Sequence, residues 1–199
     1  MRRYPLYFVF IFILFGCSAS APAINEYTLF SSQISQPKSP PLSSKTLSVA
    51  LSKSIGSLLG KNIIYLYENG QTGPYLYSRW SDAPAALIQR SLLASLNEKA
   101  LFASLSPTTS LAQTDWVLES NLDAFYHRFY ENKSEGYIDI TYRLVDTRTK
   151  QLLASKRFTV SFPAANMNAK GGVEALKIAT GELNRQCIDW LTKLLKEKK

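Results

Sequence analysis

Two thiols and one imidazole, Cys17, Cys187 and His127, are the strongest candidates for nucleophilic or metal-binding chemistry in this chain of 199 residues. A single histidine excludes the HExxH zinc arrangement, which needs two imidazoles one helical turn apart, and two cysteines cannot build a four-thiolate zinc site. A Ser-His-Asp set would need Ser120 or Ser134 to approach His127, with Asp123 on the same strand. Neither serine sits in a nucleophile elbow, and the chain has no glycine-rich phosphate loop. The expectation is a protein that works without catalysis, cofactor or metal. Cys187 falls on the apolar stripe of a helical pattern, which reads as a buried, inert thiol.

Cys17 has different surroundings. The chain opens MRRYPLYFVFIFILFGC: two arginines, twelve mostly apolar residues from Tyr4 to Phe15, then Gly16-Cys17. Twelve residues of helix span about 18 Å against the roughly 30 Å of a bilayer's hydrocarbon core, so residues 1–16 read as a signal peptide rather than a spanning helix. Leu14-Phe15-Gly16-Cys17 resembles the bacterial lipobox, which is cut ahead of a cysteine that is then acylated on its sulfur and its new amine. Cys17 is therefore the expected lipidation residue, and more than one acyl chain satisfies the need for a stable anchor. Ser18 stands where the inner-membrane retention signal of enteric bacteria carries aspartate. By that resemblance the anchor belongs in the outer membrane, on its periplasmic face. Losing Arg2 and Arg3 takes Lys+Arg from 23 to 21 against 15 acidic residues, and the formal charge falls from +8 to +6. Export and the dispersal of the basic residues argue against nucleic acid as a partner.

Residues 17–45 are rich in Ser and Pro and read as a tether, with a short β-prone island at Glu26–Phe30 suited to an edge strand. Residues 46–199 read as one α+β domain. Leu47, Val49 and Leu51 alternate as in a half-buried strand. Asn62–Tyr67 and Pro74–Ser78 flank an Asn-Gly turn and form a hairpin. Ser81-Asp82 offers a cap to a helix over 82–99, with Leu87, Ile88, Ser91, Leu92, Ser95 and Leu96 on one face. Three strands around Trp116–Tyr126, Ile138–Leu144 and Leu152–Phe162 follow as an antiparallel meander, and a second helix starts at Val173. This predicts a mixed, mainly antiparallel sheet with two amphipathic helices packed on one face.

Six residues of this framework stand out as partner-binding candidates. Arg79-Trp80 lies between the hairpin and the first helix. It is either a docking point of the kind Arg and Trp favour, or a corner plug with Arg79 lying over it. Tyr65 and Tyr67 on one strand and Tyr75 and Tyr77 on the next would line one face if the hairpin registers them together. Such a face suits protein contacts, acyl-chain edges or a covering helix. Gly171-Gly172 offers amides to an anion or a flexible helix entry. Lys193, Lys196, Lys198 and Lys199 form a basic end.

The lipobox, Tyr27-Thr28-Leu29, the proline-rich spacer and the block from Tyr75 through Ser78-Arg79-Trp80 to Pro84 and Ile88 resemble the ABC-type transport auxiliary lipoproteins. Asp115-Trp116-Val117-Leu118, the strand ending at Leu144-Val145-Asp146 and the last helix with Trp190-Leu191 match the same outline. The resemblance implies a non-enzymatic component of an ABC/MCE-type lipid transport system that acts through protein contacts. Its implied partners are an MCE-domain protein, the ABC transporter complex and outer-membrane lipid through acylated Cys17; a homo-oligomer is also allowed. Two other readings stand beside it: a structural or activator lipoprotein of envelope assembly, and a periplasmic lipid-binding carrier.

Overall fold

The computed structural model describes residues 22–29 and 39–197, so the signal peptide, Cys17, part of the tether, and Lys198 and Lys199 lie outside the described residues. In chain order the strands are β1 (Asn25–Tyr27), β2 (Ser43–Val49), β3 (Lys53–Ser54), β4 (Asn62–Tyr67) and β5 (Thr72–Trp80). Helix α1 (Pro84–Glu98) follows, then β6 (Phe102–Pro107), β7 (Trp116–Tyr130), β8 (Lys133–Asp146), β9 (Leu152–Pro163) and helix α2 (Ala169–Glu197).

β7 is the spine, about 46 Å long at strand rise. β8 runs antiparallel along one edge from Trp116–Asp146 to Tyr130–Lys133, and β9 lies antiparallel on β8. The other edge of β7 is shared by three strands, all parallel to it: β2 at Trp116–Leu118, β3 at Asn121–Leu122 and β4 at Tyr126–Phe129. From β2 the sheet extends to β6, and from β4 through β5 to β1, giving a nine-stranded curled sheet with two limbs.

The sheet is therefore mixed rather than mainly antiparallel. The meander and the β4–β5 hairpin match the expectation, and β1 forms the edge strand anticipated in the tether. Strands that precede the meander, however, join its far edge in parallel. Parallel pairing needs a crossover, and α1 supplies it between β2 and its parallel neighbour β6. The small residues Ala103, Ser104 and Ser106 hide the alternation that would have revealed β6.

One apolar core takes in both helices. Leu87, Ile88, Leu92 and Leu96 of α1 and Leu176, Ala179, Leu183, Cys187 and Leu191 of α2 are buried with Leu118, Leu122, Ile138, Ile140 and Leu144 of the sheet. Ser91 and Ser95 sit on the stripe of α1 because their hydroxyls accept hydrogen bonds from Asn184 Nδ2 of α2, at 2.8 and 3.2 Å. α1 begins at Pro84 rather than Asp82: proline's fixed φ suits the first helical position, and Asp82 instead accepts from the Ala83 amide and from Arg90. Cys187 is fully buried, and burial pushes its thiol pKa up, in keeping with an inert core cysteine.

Candidate interaction site

Alternation on β7 changes partway along. Leu122 pairs with Ile140 and Ala124 with Asp139, so Asp123 is an extra residue in a bulge. Beyond it Phe125, His127 and Phe129 take the buried face, and Tyr126, which unbroken alternation would put on the face of Leu122, is only partly buried.

His127 is the centre of an aromatic cluster. Its Nδ1 lies 2.7 Å from the Tyr75 hydroxyl, and its ring stands 4.2 Å from Phe129 and 6.1 Å from Tyr75 between centroids. Tyr65 touches both Tyr67 and Tyr75 at 5.4 Å, and Tyr67 touches Phe129 at 5.1 Å. The hairpin thus brings three of the four tyrosines together. Tyr65 lies over Gly73, where any Cβ would stand 2.7 Å from its hydroxyl. On the other side the backbone of α2 closes down at Gly172, where a Cβ would come within 2.4 Å of the imidazole. Burial lowers the His127 pKa to about 4, so the ring is neutral near pH 7. Nδ1 and the Tyr75 hydroxyl share one hydrogen bond, and Nε2 has no hydrogen-bond partner among the described residues. Burial first, then the neighbouring phenols, push the Tyr75 pKa up.

Tyr77 stands apart because of β5. Asn62 pairs with Arg79 but Ile64 with Pro74, so β5 carries extra residues at this point. Leu76 and Tyr77, though consecutive, are both exposed, at 78% and 54%. Trp80, by contrast, is fully buried 5.5 Å from Phe125 and presents no surface; it plugs the corner between hairpin and helix. Arg79 forms an ion pair at 2.7 Å with Glu26 on β1 and stays half exposed. Of the six candidate residues, Tyr67, Tyr77 and Arg79 offer the most side chain to a partner, Tyr65 and Tyr75 are half-buried, and Trp80 is core. Leu76 is the most exposed large apolar side chain of β5. A lone leucine between two tyrosines in a strand reads as the inward residue unless the bulge is known.

Gly171-Gly172 is not a loose entry. Both glycines lie in the first turn of α2, where the Gly171 amide donates to Asn168 Oδ1 at 2.9 Å and the Gly172 amide to the Asn168 carbonyl at 3.0 Å. Those amides are spent on the cap. At the far end of β7, Lys45, Thr46, Thr114, Asp115, Arg148 and Lys150 line part of a polar groove of about 880 Å³. There Asp115 accepts the Thr46 amide and hydroxyl at 2.8 Å each. The backbone bond leads in lowering its pKa.

A curled mixed sheet of nine strands carrying two helices defines a single α+β domain. The chain belongs to the family of ABC-type transport auxiliary lipoprotein components, whose sequence pattern matches residues 27–187. The fold is shared with a Xanthomonas campestris protein assigned to the DUF330 family, at a TM-score of 0.76 and 15% identity, covering 87% of this chain and 98% of that one. An uncharacterized protein matches at 0.67 and 15% identity over 85% and 99% of the two chains. The hypothetical protein CT253 from Chlamydia trachomatis matches at 0.50 and 10% identity over 76% and 98%. A search of the curated proteins returned no match.

Proposed function

We propose that the chain is the outer-membrane-anchored, periplasm-facing lipoprotein of an ABC/MCE-type lipid transport system, held by acylated Cys17 and working through protein contacts. The family match over residues 27–187 carries this reading, with the Leu14–Cys17 lipobox beside it. The partner contact falls to the exposed bulge of β5, where Leu76 and Tyr77 present apolar surface beside the half-exposed Arg79, which β1 pairs through Glu26; Tyr and Arg are residue types that anchor interfaces. The polar lining of the groove at the far end of β7 suits a headgroup or protein loop better than an acyl chain.

Metabolic labelling with palmitate tests the anchor. The wild-type chain takes up label and sediments with outer membranes, whereas Cys17→Ala loses both. Label retained in the variant would refute the assignment of Cys17.

A further inference from the structure

The short reach between Cys17 and β1 orients the domain. β1 is parallel to β5, with Asn25 level with Ser78, and β5 begins at Thr72 next to the β4–β5 turn. Traced backward from Asn25, the chain therefore heads toward that turn, and it is described as far as Pro22. The five residues from Pro22 back to Cys17 reach at most about 18 Å. A tether free from Cys17 to residue 45 would leave the orientation open; docking of β1 removes that freedom.

The β4–β5 turn shares its end of the molecule with the β7–β8 turn and with the loop from Pro163 into α2, as the pairings of Tyr67 with Phe129 and of Glu135 with Pro163 require. Here Tyr67 is 42% and Met167 51% exposed, and Phe162 near the end of β9 is exposed too. Tyr67, Phe129, Tyr130 and Met167 wall an open notch of about 500 Å³, rimmed by Asn69 and Gln71 among other polar side chains. The rim is two amides and two carboxylates, Glu68 and Glu131, around tyrosine, phenylalanine and methionine, and amphipathic aromatic rings of this kind sit at headgroup depth in a bilayer interface. Glu68 and Glu131 in these turns are balanced by Lys133 and Lys170, so no single-sign field selects a charged macromolecule.

We infer that this end of the sheet rests on the bilayer that holds the anchor, with Tyr67 and Met167 entering its headgroup boundary. The inference builds on the acylation of Cys17. It sends the polar groove of Lys45, Asp115 and Arg148 to the far side, about 46 Å away along β7, facing out from the membrane.

The test uses the mature acylated protein in vesicles of phosphatidylethanolamine and phosphatidylglycerol that contain a nitroxide-bearing lipid. An environment-sensitive fluorophore is placed on Met167→Cys or on Arg148→Cys, and the parent chain, whose Cys187 is buried, supplies the blank. The expected result is loss of most emission, with a blue shift, at position 167, and unchanged emission at 148. Flotation with the vesicles but equal quenching at both positions, or stronger quenching at 148, overturns the orientation alone. A protein that does not float overturns the acylation reading and this one with it.

Discussion

Lowering the pH should destabilise this domain in good part through one residue. His127 is fully buried beneath Gly172, and burial lowers its pKa from 6.5 to about 4. Below pH 6.5 the unfolded chain binds a proton at this imidazole that the folded chain refuses, so stability falls with pH by about 1.4 kcal/mol per unit until the folded ring itself titrates near pH 4. Between pH 7 and pH 4.5 the loss is about 2 kcal/mol. At a urea slope of about 2 kcal/mol/M this moves the unfolding midpoint down by about 1 M. Carboxylates titrate in part of the same range, so the comparison is with His127→Gln, which keeps a polar partner for Tyr75 and cannot charge. Urea titrations of both proteins at the two pH values isolate the imidazole. The wild type should lose about 2 kcal/mol more than the variant on acidification. Equal losses would show that the ring is solvated in the folded state and that the packing of α2 over it is wrong.

Two further outcomes follow from packing. A Cβ at Gly136 would stand 2.5 Å from the Leu176 amide nitrogen and 2.6 Å from the Ala175 carbonyl carbon, backbone atoms of α2 that cannot step aside. Gly136→Ala should therefore cost about 3 kcal/mol, the upper end for overpacking, and lower Tm by about 10 °C in a thermal scan. Trp80→Ala should cost about 3–5 kcal/mol, whereas Trp80→Phe recovers most of that stability and leaves partner pull-down unchanged. Weakened pull-down by a stable Phe variant would return Trp80 to the docking surface.

The helices, the meander and the hairpin were legible in the sequence because each is declared by short-range periodicity and turn chemistry. Long-range parallel pairing leaves no such local mark: nothing in the alternation of Asn62–Tyr67 says that this strand lies beside Tyr126–Phe129. Bulges account for most of the rest. An extra residue at Asp123 exchanges the faces of β7 and brings His127 into the core, and the extra length of β5 turns Leu76 and Tyr77 outward together. Both effects come from register, which depends on the partner strand. Gly171-Gly172 read as flexible because its two reasons for being glycine, the His127 ring and the Asn166 backbone, are distant or conformational.

Crosslinking in intact cells, followed by purification of the acylated protein, tests most directly whether this chain serves a transporter by contact. Tyr77→Ala/Arg79→Ala is the matched variant. MCE-domain and ABC transporter subunits should co-purify with the wild type and be depleted with the double variant. Recovery of no transport component with the wild type would contradict the contact role.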